Sequence, residues 1–573
     1  MKLFTFGLGL LLAATPAIAQ DSRPALGTPT TAPVAAPTTA EVPAIPAVAQ
    51  EAPGPVEFRW SPKERMALVE KLITTPLKVN DVTIPTAEIR RALLLKVGRV
   101  QLESRKLDLL IDAEIATRKA AGEAVDDVAL TPEEEQAAFD AATGQIRAQY
   151  PNMALEDVLA SNSLSVESLK RQLTQTTRFD RVFLPDDPEA WPATTVGALE
   201  GQMGAETVTQ MKENWKARQA AGGADAADPG QMMWNRLMRQ MVIQALMQNA
   251  EVVTPADGLP VAVAQRVNGQ DTLVADVWPE VKSIVHPEAV KRVRLYLARL
   301  SAVQQDLFAK GAWLADEDFN KIFADEEKIG EGSPWNLPMI VMVMKRYPNM
   351  NVYKDILRAE RSYEKLIGDE LTVENLEGWL PRASRLLGLG EVTPEIILLS
   401  AFDYTTNRWK DNGWEEAEAR ANAIVDQLVV SEGADWDTLL DENSDFFDPP
   451  QPQAQQPGQP APDLKNKGRF GSIHRNRLMQ MLGESEYTAF VDGSSIADLV
   501  YYDQEVGGID GPFKGIHGYY ITRVDARTAG QKPILLSDPN MRKMVTEDYV
   551  MQHFIGYSNR VLDEATVEGL YSR

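Results

Sequence analysis

Few residues in this chain could do covalent or metal chemistry. There is no cysteine, which excludes thiol catalysis, thiolate zinc sites and iron–sulfur clusters. The four histidines, His286, His474, His517 and His553, never stand at metal-ligand spacing. Asp441-Glu442-Asn443-Ser444-Asp445 opens like a calcium loop. Its sixth position is Phe446 where such a loop needs glycine, and its twelfth is Pro452 where it needs a bidentate glutamate. Gly388-Leu389-Gly390 lacks a third glycine and precedes an expected strand instead of following one. No nucleophile elbow and no phosphate loop is present. No metal and no cofactor is therefore expected. The stretch on which a site could be built is Gly511 to Val524, which carries Tyr520 and His517. Gly511-Pro512 reads as a turn, because proline presets φ and glycine tolerates positive φ. Gly518 then opens an alternating strand with Tyr520, Thr522 and Val524 on one face and Tyr519, Ile521 and Arg523 on the other. A lone histidine before a glycine turn, such as His517, reads as a polar residue of the surface.

The elements that must position this stretch are mainly helical. Lys2, the apolar run Leu3 to Ala14 and Ala17-Ile18-Ala19 form a secretory signal pattern over 1–19. No later run is long and apolar enough to span a bilayer, so a soluble exported chain without disulfides is expected. The Pro/Ala/Thr-rich residues 20–55 cannot bury enough surface to fold and read as a tether. The net charge of −24 argues against nucleic acid and anionic membranes as partners.

Helices are expected from 56 to 192, with Ser61-Pro62 opening the first of them. Leu107, Leu110, Ile111 and Ile115 mark one buried helical face. Thr131-Pro132-Glu133-Glu134 is a capping box, and Ser165 caps a helix carrying Leu169, Leu173 and Phe179. A connecting loop and helix occupy 193–254, with a loop over 219–230 and a Met-rich stripe (Met232, Leu237, Met238, Met241, Val242, Ala245, Leu246) that reads as core. Landmarks then recur over 255–385. Val267-Asn268-Gly269 answers Val79-Asn80, Tyr347-Pro348-Asn349-Met350 repeats Tyr150 to Met153, and Leu371 to Leu376 answers Leu164 to Leu169. Three ordered matches read as an internal duplication.

Residues 392–527 change character. The order expected is a strand from Val392 to Ser400, a helix ending at Gly433, a short helix from Trp436, a turn and strand at Gly468-Arg469-Phe470-Gly471, a helix from Leu478 to Phe490, and a further strand or turn at Ala497 to Tyr501. The Gly518 strand closes the region. A Pro/Gln-rich insertion at 448–464 interrupts it. An amphipathic helix from Asp538 to Glu564 and a strand-like Thr566 to Tyr571 complete 528–573.

The region 392–527 resembles the parvulin (PpiC-type) peptidyl-prolyl isomerase domain in its element order and in Gly433-Ala434-Asp435-Trp436-Asp437-Thr438-Leu439. Its last strand also matches, with a Gly-Pro segment leading into Gly518 to Val524. The helical copies, roughly 79–191 and 267–380, resemble the chaperone domain of the SurA/PrsA group of exported foldases. The fold implied is a multidomain, mainly helical chain: two SurA-N-like helical modules, one parvulin-like α+β domain with a small antiparallel sheet, and a C-terminal helix packed back on a chaperone module. In parvulins two strand histidines floor the pocket; the corresponding positions here are Ile396 and Tyr520. By the same resemblance Phe470, Met481, Phe490, Phe513 and His517 would line the substrate groove, with Tyr520 as the one catalytic candidate. The implied function is a periplasmic or envelope chaperone for unfolded or partly folded exported proteins, outer-membrane proteins among them, with a degenerate isomerase domain. The alternatives are an active isomerase using Tyr520 and an envelope scaffold with one dedicated partner.

Overall fold

A computed structural model describes residues 62–570, apart from 124–130, 150–153, 162–163, 186, 222–228, 329–335, 405–407, 447–466 and 531–532. The expected signal, tether and Pro/Gln-rich insertion fall outside the described residues, as does Tyr150 to Met153. The described chain is mainly helical with small antiparallel sheets.

Helix α1 (Pro62–Thr74) leads into the hairpin β1 (Leu77–Val79) and β2 (Val82–Ile84), then α2 (Thr86–Val97) and α3 (Arg99–Ala120). Asn80 turns the hairpin at φ 52°, the left-handed region that asparagine tolerates best among residues with a side chain. Helices α4 (Pro132–Gln149), α5 (Leu155–Ser161) and α6 (Val166–Phe183) follow. The capping box is present: Glu134 N donates to Thr131 Oγ1 at 3.2 Å and Thr131 N to Glu134 Oε2 at 2.9 Å. Ser165 Oγ accepts from Ser168 N at 2.9 Å. Helices α7 (Ala193–Met203), α8 (Ala205–Ala221) and α9 (Pro229–Asn249) come next. The loop expected over 219–230 is shorter, since α8 and α9 run into both its ends. Met238, Val242 and Ala245 of the Met-rich stripe are buried, whereas Leu237 is exposed.

A second hairpin follows β3 (Val252–Val253) and consists of β4 (Val263–Val267) and β5 (Gln270–Leu273), again turned by a left-handed asparagine, Asn268 at φ 47°. Then come α10 (Val274–Lys282), α11 (Pro287–Ala309), α12 (Asp316–Lys328), a π-turn (Ile340–Met344), α13 (Met350–Leu366) and α14 (Val373–Leu387). Asn349 caps α13 and Thr372 caps α14 through side-chain oxygens, as Ser165 caps α6.

The third region holds β6 (Val392–Ser400), the short pair β7 (Phe402–Asp403) and β8 (Arg408–Trp409), α15 (Gly413–Val430), α16 (Trp436–Asn443), α17 (Arg475–Met481), α18 (Glu486–Asp492), β9 (Ile509–Lys514) and β10 (Gly518–Arg527). β6, β10 and β9 pair antiparallel in that order. Arg469 and Ile473 bridge to Glu395 and Val392, so the 469–473 segment flanks the other edge of β6. Three local expectations change. Gly511-Pro512 lies inside β9, and the turn falls at 515–517, closed by Gly515 N on Gly518 O at 2.9 Å. The single helix expected from Leu478 to Phe490 is two, broken at Gly483 with φ 73°. Residues 496–503 form a short helix and π-turn, not a strand. The Glu484 carboxylate explains the last point, because it accepts from Ser495 Oγ, Ile496 N and Ala497 N and so caps that helix.

Helix α19 (Pro539–Glu564) and β11 (Val567–Glu568) end the described chain. α19 packs on α11, α13 and α14, and β11 pairs with β1. The largest hydrophobic cluster draws on α1, α2, α10, α11, α13, α18 and α19 together. A second cluster joins α3, α6, α7, α8 and α9, and a third joins α4, α5 and the start of α6. Arg294 ties both ends of the described chain to α11: its buried guanidinium donates to the carbonyls of Leu72, Thr75, Pro76 and Gly569 at 2.7–3.2 Å.

Candidate functional site

Strand β10 divides two cores, as its alternation requires. Tyr520 and Val524 enter one with Ile396, Leu398, Leu478, Ile496 and Tyr501. Tyr519 and Ile521 enter the other, beneath α15 and α16. In the β6–β10 ladder Thr522 stands opposite Ile396 and Tyr520 opposite Leu398. Ile396 and Tyr520 are therefore diagonal neighbours on one face.

That face is packed. Tyr520 is only 1% exposed and Ile396 is fully buried. A Cβ added to Gly515 would lie 2.5 Å from the Tyr520 ring, so the glycine is what lets the hairpin close over the phenol. Phe446 meets the ring edge-on at 6.5 Å and stacks at right angles on Phe470 at 4.8 Å. Burial holds the Tyr520 phenol well above its ordinary pKa, with the Tyr404 and Glu484 charges adding to the effect. Its proton stays on at any physiological pH. Thr522, next along the face, is tied to Gln504: Thr522 Oγ1 donates to Gln504 Oε1 at 2.9 Å, and Gln504 Nε2 returns to Thr522 O at 2.8 Å.

The other site residues separate. Phe470 and Phe513 are half-buried and pack against the Tyr520 core. Met481 ends α17 and is half-buried. Phe490 points elsewhere: it is fully buried in the helical core, stacked on Phe554 of α19 at 5.6 Å and edge-on to Tyr296 of α11 at 6.4 Å. His517 sits in the β9–β10 turn within an aromatic group. Its ring lies 5.3 Å from Phe402, 5.5 Å from Tyr404 and 6.1 Å from Trp409. Burial, with Arg292 nearby, pushes the imidazole down to about 4, so it is neutral at physiological pH. His517 is thus half-buried against aromatic rings, where a surface polar residue was expected. Phe402, Tyr404 and Trp409 were not singled out from the sequence; the density of aromatics between 402 and 414, just past a strand, was the available signal.

On the opposite face Glu395 is buried and charged groups gather around it. Trp436 Nε1 and Arg523 each donate to Glu395 Oε2 at 2.7 Å, and Arg523 lies over the Trp436 ring at 5.1 Å. This network fixes α16 to the sheet. Among the described residues no His/Asp/Glu group could hold a metal, and no helix is long and apolar enough to cross a membrane.

No family model matches the chain, and no curated protein matches it. Solved structures that are similar include the peptidylprolyl isomerase PrsA from Bacillus anthracis, at 15% identity over 46% of this chain and 95% of that one, TM-score 0.19. The peptidylprolyl isomerase PrsA from Bacillus cereus is 16% identical over 53% of this chain and 94% of that one, TM-score 0.19. PrsA from Bacillus subtilis is 13% identical over 52% and 91%, TM-score 0.16. Identities and scores this low carry no inference about activity.

Proposed function

We propose that the chain is an exported, periplasmic or envelope chaperone of the foldase type. In this reading it holds unfolded or partly folded proteins, outer-membrane proteins among them, and its sheet domain is a parvulin-type isomerase domain that has lost catalysis. One observation supports the second half: Ile396 and Tyr520, which the parvulin resemblance aligns with its two histidines, are buried diagonally on one face. Isomerising an X–Pro bond needs only about 4 kcal/mol of transition-state stabilisation for a thousandfold gain, against a barrier of about 18–20 kcal/mol. That gain still requires donors or an apolar floor that the peptide can touch. A phenol with 1% of its surface free offers neither.

Holding requires exposed apolar surface beside a seam. Val343 and Met344 of the π-turn are exposed, and the adjoining Arg346 and Lys345 reach Gln480 O and Glu486 of the sheet domain. Flexible methionine surfaces adapt to varied apolar segments. No cofactor is needed, and nucleic acid is not a partner in this reading. The shared order of hairpin, helices and polar-capped last helix in 77–183 and 263–387 supports descent from one duplicated unit.

Light scattering with an aggregating client tests the reading. Suppression at near-stoichiometric chaperone is expected, and aggregation unchanged by a molar excess would favour the scaffold alternative instead.

A further inference from the structure

A cavity of about 320 Å³ opens where α13, α17, α18 and α19 meet, a size at the lower end of small-ligand pockets. Its lining carries five carboxylates, Glu326, Glu360, Glu486, Glu547 and Asp548, against three cations, Lys345, Arg361 and Arg475. The excess disfavours an anionic occupant.

The charges are not equally free. Arg475 is taken by Asp498, with Nη2 to Oδ2 at 3.0 Å. Arg361 pairs with Glu364 at 2.7 Å and Glu326 at 3.8 Å. Lys345 stands 3.9 Å from Glu486 and lies over the Tyr353 ring. Tyr353 OH donates to Glu326 at 3.0 Å, Tyr347 OH to Glu486 at 3.3 Å, and Trp379 Nε1 to Asp548 at 2.7 Å. Glu547, at the rim, faces Lys543 at 3.8 Å.

Glu360 remains. It is 6% exposed, lines the cavity, and has neither hydrogen bond nor ion pair among the described residues. Its oxygens are not among the buried atoms sealed without a partner, so the carboxyl faces the cavity, where a cation could pair with it. Around it Tyr347 and Tyr353 meet edge to face at 5.1 Å, and Leu357, Leu387 and Met551 add apolar wall. Apolar walls beside one unpaired carboxylate suit a cation on an apolar stem.

We propose that this cavity is a binding site for a guanidinium or ammonium group carried on an aliphatic stem, with Glu360 as its counter-ion. Such a group is presented equally by an arginine or lysine side chain of a bound polypeptide and by a free amine. Burial holds the empty Glu360 carboxyl up at about 7, with Glu486 and Glu364 raising it and Arg361 and Lys345 opposing. Filling the site with a cation lets that carboxyl ionise, so binding near pH 7 releases a proton.

The test is calorimetric titration of the full chain at pH 7 with acetyl-Ala-Arg-Ala-amide, its citrulline analogue, and agmatine. The arginine peptide or agmatine is expected to bind, the citrulline analogue at least about tenfold more weakly than its arginine parent. Buffers of different ionisation enthalpy should reveal proton release. Binding of the peptide alone assigns the site to a polypeptide side chain, and binding of agmatine alone to a free amine. Glu360→Gln should weaken binding about tenfold or more and abolish the proton release. Met544→Trp, at the exposed mouth, should block entry and serves if the first variant fails to fold. Absence of binding by both cations, equal binding of the citrulline peptide, or wild-type affinity and proton release in the variants would overturn the proposal.

Discussion

Replacing Phe490 with alanine separates two accounts of the α18 helix. If Phe490 lined a groove of the sheet domain, its loss would weaken client binding and leave stability almost intact. The structure puts it in the helical core instead, fully buried between Phe554 and Tyr296. Phe→Ala substitutions in cores cost about 3–5 kcal/mol, the larger values where the surroundings cannot collapse. Here the ring is clamped between two long helices, α11 and α19. Their relative placement is fixed independently by Arg299 and Asn559, whose side chains hydrogen-bond to each other, Asn559 also donating to Gly493 O. Little relaxation is available, and two aromatic contacts worth about 0.5–1.5 kcal/mol each beyond area burial are lost as well. A cost of about 4 kcal/mol follows, close to a thousandfold in the local opening equilibrium. Native-state hydrogen exchange reads it directly: amides of α18 and the facing turns of α19 and α11 should exchange several hundredfold faster. A change below about 1 kcal/mol, with α19 exchange untouched, would refute the packing account and return Phe490 to a binding surface.

Arg294→Met should cost about 3–5 kcal/mol, because it leaves the carbonyls of Leu72, Thr75, Pro76 and Gly569 without this donor, at about 1–3 kcal/mol for each group left unsatisfied in a buried site. Limited proteolysis should then cut near 72–76 and near 566–570 together, because one guanidinium serves both; cutting at one end alone would contradict this. Glu360→Gln should also change stability with pH. A carboxyl raised from 4.5 to about 7 by burial stabilises the fold fully below about pH 4.5, and the contribution is lost as pH rises through about 7. Wild-type stability measured by denaturant titration should therefore fall between pH 5 and 8. The variant should lack that fall and be the more stable by about 3 kcal/mol at pH 8. Parallel pH profiles would remove Glu360 as the cause.

What could be read from the sequence was what local chemistry decides. The alternation from Gly518 to Val524 correctly assigned residues to two opposite cores. Thr131 and Ser165 announced helix starts because a cap and its partner lie three residues apart. What could not be read depended on distant partners. The helix at Ile496–Asp498 exists where Glu484 caps it, and the aromatic side of α18 follows Phe554, 64 residues beyond Phe490. Gly511-Pro512 carried a strong turn signal, yet the hairpin turns four residues later, where Gly515 accommodates the Tyr520 ring. The partial burial of His517 likewise depends on Phe402, Tyr404 and Trp409, contributed by another part of the chain. The positions of Ile396 and Tyr520 were legible; that their face is a sealed core was not, because closure is a property of packing.

The central proposal is that this domain is an isomerase-type sheet domain lacking a floor a proline can reach. A proline-peptide isomerisation assay tests it most directly. The chain should leave the uncatalysed relaxation, tens to hundreds of seconds at 25 °C, unchanged even at micromolar protein. An acceleration of tenfold or more that disappears in Tyr520→Phe would contradict the account.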